Sequence, residues 1–222
     1  MTALVTVLWK DLLIEWRARS RAFSLATFAL TVLLLFSFAV GPDTATMRAH
    51  AGAYLWLSLL LSSTLLLAQS FHVEVESNAI ETVMLAPTAP AAVFYGKALA
   101  NTAQLVALGL VALPATVALY DASFREGVGL MLPVLALGAA GLAAPGTLYA
   151  ALTGRMGARQ LLLPLLLFPL VVPCLLASVK ATTLVMLGDP MTQLPSWLRL
   201  LASFDLLYWA VCGVLFGRVI EQ

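Results

Sequence analysis

The sequence predicts an all-α integral membrane protein: six transmembrane helices preceded by an amphipathic helix at the membrane surface. Three observations lead there. First, 62% of the 222 residues are hydrophobic and only 10% are charged, with a mean hydropathy of +0.98. Soluble domains run at ~45–50% and ~25%. Second, the apolar residues gather in six runs, each long enough to cross ~30 Å of hydrocarbon at ~1.5 Å per residue. Third, the runs are continuous rather than alternating. Only helices or closed barrels satisfy the backbone in lipid, so the runs read as helices of a single membrane domain, 1–222.

Residues 1–21 are not a span. On a helix, Val5, Trp9, Leu12 and Trp16 share one face, and Thr6, Lys10, Arg17 and Arg21 another. Tryptophans opposite cations suit a helix lying in the interface. Asp11 and Glu15 fall at the edge of the apolar face, and Glu15 is spaced for an i,i+4 pair with Arg19.

The spans follow at about 24–40, 51–70, 98–120, 128–152, 161–179 and 197–216. Gly41-Pro42 closes the first, and Asp121 ends the third. A basic loop holding Arg155 and Arg159 separates the fourth from the fifth. Ala39-Val40-Gly41 loosely resembles a cleavage site. The preceding region is long and holds Asp11 and Glu15, and the apolar run exceeds the ~7–15 residues of a signal peptide. The segment is therefore read as a retained span.

With a cytoplasmic N-terminus, Lys10, Arg17, Arg19, Arg21, Lys97, Arg155, Arg159 and Arg218 lie on the cytoplasmic side. Arg48, Arg125, Lys180 and Arg199 lie on the other. Eight cations against four place both termini in the cytoplasm. Over the chain, 12 Lys+Arg nearly balance 11 Asp+Glu, with no basic block. That argues against a nucleic-acid partner. Cys174 and Cys212 stand singly in apolar runs, as packing residues rather than a disulfide framework.

Catalytic motifs are missing. Gly96-Lys97 has the ending of a phosphate-binding loop, but Ala91 stands where the first glycine belongs and Ala98 where Ser/Thr belongs. There is no GxSxG and no HExxH. His50 and His72 lie near opposite ends of the second span, about 30 Å apart. The chain is expected to be non-catalytic, with no directly bound cofactor or metal.

The informative stretch is polar, from 72 to 97. Asn78 followed by Glu81 resembles a capping box. Ile80, Val83 and Met84 then recur at i, i+3, i+4, and Pro87 stops the helix. The expected product is a helix of about two turns on the cytoplasmic side. Its apolar residues either rest on the bilayer and neighbouring spans or dock into a partner's groove.

Inside the spans, Asp205 is the one deeply placed acid, ~12 Å from Trp197 along the helix. Such a group is a functional candidate by default. The alternative is a structural bond to another helix, with Ser203, Tyr208 or Gln104 as partners. Pro164, Pro169 and Pro173 are expected to kink the fifth span, and Pro145-Gly146 to loosen the fourth. Gly213 and Gly217 form a GxxxG pattern compatible with a homodimer.

Several stretches together resemble one family. These are the segment Phe71 to Lys97 with Glu81-Thr-Val-Met-Leu-Ala-Pro87 and Gly96-Lys97, the run Gly141 to Arg155, and the run Leu161 to Pro173. Phe204-Asp-Leu-Leu-Tyr208, Phe216 to Glu221 and Gly41-Pro42 complete the set. It is similar to the CcmB family, the haem exporter B subunits of cytochrome c maturation. The resemblance implies an ABC-2-like permease architecture in the bacterial inner membrane. It implies a partner ATPase (CcmA-like), CcmC-like and CcmD-like membrane subunits, and a haem chaperone (CcmE-like). ATP would act through the partner, and the complex would handle haem.

On this resemblance the helix around Asn78 is a coupling helix. Ile80, Val83 and Met84 would touch the ATPase, and Glu74, Glu76 and Glu81 would flank the contact. The turn before that helix holds Asn78 where family members often carry glycine. No span interior contains a histidine, and Trp9, Trp16, Trp56, Trp197 and Trp209 are scattered. Energy transmission is thus the stronger form of the hypothesis, and direct haem passage the weaker. The alternative function is a generic ABC-2-type exporter of lipid, polysaccharide or drug. A secondary transporter, which usually needs internal repeats and midplane ion sites, and a passive scaffold are further alternatives.

Overall fold

The computed structural model describes residues 3–70, 90–155 and 162–220. Apart from one short 3-10 turn at Val128–Leu130, its regular structure is α-helical: α1 Ala3–Arg17, α2 Arg19–Val40, α3 Thr44–Ser70, α4 Pro90–Tyr120, α5 Met131–Arg155, α6 Leu162–Leu187 and α7 Leu194–Ile220. Among the described residues, the six from α2 onward are long and apolar enough to cross a membrane. The chain is an all-α, multi-pass membrane protein.

Each helix runs past the apolar run that announced it. The second begins at Thr44 rather than 51, because Asp43 accepts from the Ala45 and Thr46 amides (3.1 and 3.3 Å) and the Thr46 hydroxyl (2.6 Å). That is an N-cap, and hydropathy does not register it. The fifth run was expected to end at 179, yet α6 continues to Leu187. Ala181, Thr182, Val185 and Met186 are buried there, and Thr182 accepts the Trp56 indole N–H at 2.8 Å. At the start of α7, Asp189 accepts from the Gln193 and Leu194 amides (2.8 and 2.7 Å).

The N-terminal helix and first span are divided at Ala18 (φ −86°, ψ 54°). The corner costs few backbone hydrogen bonds. The Ala18 amide still donates to Ile14 O, and the Arg21 amide to Ala18 O. The turn breaks the expected i,i+4 spacing. Glu15 pairs with Arg21 across the corner (3.7 Å), and among the described residues Arg19 makes no ion pair.

α5 is the central helix, packed by α3, α4, α6 and α7, and every residue from 141 to 148 is buried. Small residues allow this. A Cβ at Gly138 would lie 2.1 Å from the Trp56 ring, and one at Gly141 would lie 2.3 Å from Cys174 Sγ. Across α4 and α5, the Asn101 amide donates to the Thr147 hydroxyl (2.9 Å), which donates to its own Ala143 carbonyl. α2 is peripheral. It buries Leu25, Ala29, Val32 and Leu33, while Phe23, Leu35 and Phe38 point outward.

Two clusters mark the ends of the bundle. At one end Arg48 of α3 pairs with Asp121 beyond α4, and Tyr54 stacks on Phe36 and meets the tilted ring of Tyr120, at 5.1 Å each. The opposite end carries the Lys97 cluster.

Candidate coupling site

α4 enters the bundle at Pro90 and carries Lys97 two turns later. The Lys97 side chain is 3% exposed, although it is a cation near a helix end. Its ammonium lies 3.1 Å from the Asp11 carboxylate of α1 and donates to the Ser70 carbonyl at 2.9 Å. Ser70 is the last described residue of α3. Lys97 therefore bonds the backbone of α3 and pairs with α1 at the same time. Asp11 also holds Lys10 at 3.1 Å.

Neighbouring residues at the base of α4 complete the junction. At Gly96 a Cβ would meet the Val7 side chain at 2.9 Å and the Leu4 carbonyl at 3.0 Å, so α1 lies directly against this backbone. Phe94 meets Phe216 (5.4 Å between centroids) and Tyr95 stacks on Trp209 (6.1 Å), which ties in α7. Tyr95 also fills the space beside Gly213, where a Cβ would stand 2.4 Å from its hydroxyl. Half of the GxxxG pattern is thus occupied by the chain's own α4, not held open for a second copy.

A small polar cavity of about 30 Å³ adjoins the junction, lined by Asp11, Glu15, Arg21, Gln69, Asn101 and Gln104 among others. Burial pushes the Glu15 carboxyl above its ordinary value, and the Arg21 guanidinium opposes this.

The segment 71–89 leaves from Ser70 and returns at Pro90. Its return point, Pro90, lies seven residues from Lys97, ~10 Å along α4, and its departure point, Ser70, accepts from the Lys97 ammonium at 2.9 Å. Three helices, α1, α3 and α4, are locked together where this segment emerges. A force on the segment would reach all three through buried, short-range contacts. The proposed contacts Glu74, Glu76, Asn78, Ile80, Glu81, Val83 and Met84 lie outside the described residues.

Asp205 lies near the middle of α7, ~16 Å from Leu194. It is 8% exposed, and among the described residues neither carboxylate oxygen has a hydrogen-bond partner. The partners expected from sequence are bonded elsewhere. The Ser203 hydroxyl donates to Arg199 O, the Tyr208 hydroxyl donates to Leu170 O, and Gln104 lines the cavity beside α1. Instead, Asp205 faces the cleft that Gly141 leaves beside Cys174: a Cβ at Gly141 would lie 2.9 Å from Asp205 Oδ1. Pro145-Gly146 lies inside an unbroken α5, and Pro169 and Pro173 inside an unbroken α6 with outward faces. Pro164 is the third described residue of α6.

The CcmB protein family description matches residues 2–220, nearly the whole chain. The chain belongs to the CcmB protein family. Heme exporter protein B of Bradyrhizobium diazoefficiens is 34% identical over 197 residues, covering 85% of this chain and 84% of that protein. Heme exporter protein B of Paracoccus denitrificans is 33% identical over 193 residues (85% and 86%). The Pseudomonas aeruginosa protein of the same name is 30% identical over 190 residues (86% and 84%).

Sequence reasoning missed the junction in this CcmB-family chain. Gly96-Lys97 registered only as an incomplete phosphate loop and as part of the family resemblance. Otherwise Lys97 counted among the cations assigned to the cytoplasmic side. The signal was present but divided: an acid, Asp11, at the edge of the apolar face of an amphipathic helix, and a lysine inside an apolar helix start. Either alone is unexplained, and together they are a pair.

Proposed function

We propose that this chain is the permease-like membrane subunit of an ATP-binding-cassette assembly serving cytochrome c maturation. The observation that carries the reading is the family match from residue 2 to 220, with relatives named Heme exporter protein B aligned over most of their length. The chain transmits work and is not itself a catalyst. ATP hydrolysis resides in a CcmA-like partner, and the complex releases a haem-loaded CcmE-like chaperone with CcmC-like and CcmD-like subunits. The chain lies in the bacterial inner membrane with both termini cytoplasmic.

In this mechanism the helix around Asn78 is the coupling helix. Ile80, Val83 and Met84 seat in a groove of the ATPase, flanked by Glu74, Glu76 and Glu81. Movement of the ATPase pulls the 71–89 segment, and the Lys97 junction passes the displacement to α1, α3 and α4. The burial of Lys97 against Asp11 and Ser70 supports this route, since a solvated ion pair transmits little. The proline-bearing helices α5 and α6 then tilt, with Pro145-Gly146, Pro169 and Pro173 as the compliant points and Asp205 between them. α1 lies at the cytoplasmic surface. In support, its Val5, Trp9 and Trp16 face away from the bundle (40%, 61% and 76% exposed) while Leu4, Val7, Asp11 and Ile14 face α4 and its neighbours.

The test is a mild-detergent pull-down from native membranes, with each co-purifying chain identified. Recovery of an ATPase together with haem-handling subunits is the expected result. Recovery of an ATPase without them would move the assignment to a generic exporter.

A further inference from the structure

We infer that the corner between α1 and α2 binds one anionic phospholipid. The inference rests on the reading that α1 lies at the bilayer surface. Because α1 leaves α2 at Ala18 and crosses to α4, a groove of about 490 Å³ opens between the three helices. Its walls include Leu12, Trp16, Ala22, Ala103 and Ala107. Ala103 and Ala107 are one turn apart on α4, and their small side chains leave a furrow along that helix. The volume falls within the ~300–1,000 Å³ of ordinary ligand sites, and the wall is suited to an acyl chain.

Charge at the mouth selects the headgroup. Arg19 lines the groove, is exposed, and makes no ion pair among the described residues; neither does Arg17, two residues away across the Ala18 corner. The acid at the same site, Glu15, already faces Arg21 at 3.7 Å. One unneutralised guanidinium thus stands over an apolar furrow, beside a tryptophan that is 76% exposed. Arginine binds phosphate through two parallel N–H donors, and basic side chains at a membrane surface favour anionic lipid. An acyl chain in the furrow with its phosphate on Arg19 satisfies both features. A zwitterionic lipid satisfies only the first.

The experiment uses the full chain, purified in mild detergent with its co-purifying subunits. Phosphatidylglycerol and phosphatidylcholine of the same acyl chains are added in equal amounts, and retained lipid is counted by native mass spectrometry. The expected result is about fivefold preference for phosphatidylglycerol. Arg19→Gln should bring the ratio to about one, whereas Ala107→Phe should lower retention of both lipids. Both positions are exposed, so folding is retained. A ratio of one in the native chain, or an unchanged ratio and retention in both variants, overturns the proposal. Brominated lipid separates this from the surface reading, through the quenching that Trp16→Phe removes. Quenching without headgroup preference leaves α1 at the surface and rejects the anionic site. Absence of Trp16 quenching rejects both.

Discussion

The Lys97 ammonium lies 3.1 Å from the Asp11 carboxylate, joining the N-terminal helix to the base of α4 across 86 residues of sequence. The same ammonium donates to the Ser70 carbonyl of α3. One side chain thereby fixes three helices at the point where the polar 71–89 segment departs.

Lys97→Met should be strongly destabilising, by about 3 kcal/mol, because it removes the buried one of the two ammonium partners of the largely buried Asp11 carboxylate. The double variant Lys97→Met with Asp11→Leu should recover part of that loss. Denaturant unfolding in detergent, carried through the full double-mutant cycle, measures the coupling. Additive losses would show that the two charges do not depend on one another.

Gly141→Ala should cost about 1–3 kcal/mol by overpacking, since the new methyl would lie 2.3 Å from Cys174 Sγ. Cys174→Ala in the same chain removes that atom and should restore most of the stability. Thermal unfolding of the single and double variants checks this. Failure of the second change to rescue the first would mean that the Asp205 carboxylate, 2.9 Å from the same Cβ, is the constraint rather than Cys174.

Asp205→Asn should leave the fold at least as stable as the native chain, because no hydrogen bond to Asp205 is lost and a buried charge is removed. Haem delivery is the second readout. Activity retained alongside stability would assign Asp205 to packing. Complete loss of activity with normal assembly would assign it a charge-dependent step.

Ile80→Glu or Met84→Glu should weaken docking of the ATPase while membrane insertion stays normal. Both substitutions place a carboxylate on the proposed contact face, outside the hydrocarbon. Co-purification of the ATPase from membranes of each variant is the measurement. Undiminished recovery with both would remove the coupling helix from this segment.

The α3 cap makes a pH prediction. Hydrogen bonds from the Thr46 side chain, and then the Thr46 amide, hold the Asp43 carboxyl below its ordinary 3.8. A carboxylate depressed in the folded state stabilises above its unfolded value, and that stability is lost as pH falls through the folded one. Native stability should therefore fall as pH drops below 3.8. Asp43→Asn caps without titrating and should lack this component. Unfolding midpoints of both chains, compared down the acid range, test the sign.

The family resemblance and the six helices were legible because both are carried by local strings of residues. Gly41-Pro42, the proline-rich run to Pro173 and the polar stretch after the second span each announce themselves in a few residues. The junction was not legible in that way. Asp11, Ser70 and Lys97 are far apart in the chain, and one partner is a backbone carbonyl that has no sequence signature.

The sequence by itself determined that the chain crosses a membrane, how many times, and where its polar segment interrupts the spans. Hydropathy is a property of composition summed over about twenty residues, and lipid enforces it strictly. Only the tertiary structure decided which side of each helix faces protein. In α2, Leu33 is fully buried, while Leu34 and Leu35 are 42% and 63% exposed. Lipid is as apolar as a protein core, so hydrophobicity cannot distinguish the two faces. Fit and polar pairing make that choice: Gly141 beside Cys174, Trp56 bonded to Thr182, and Lys97 drawn inward by Asp11 and Ser70.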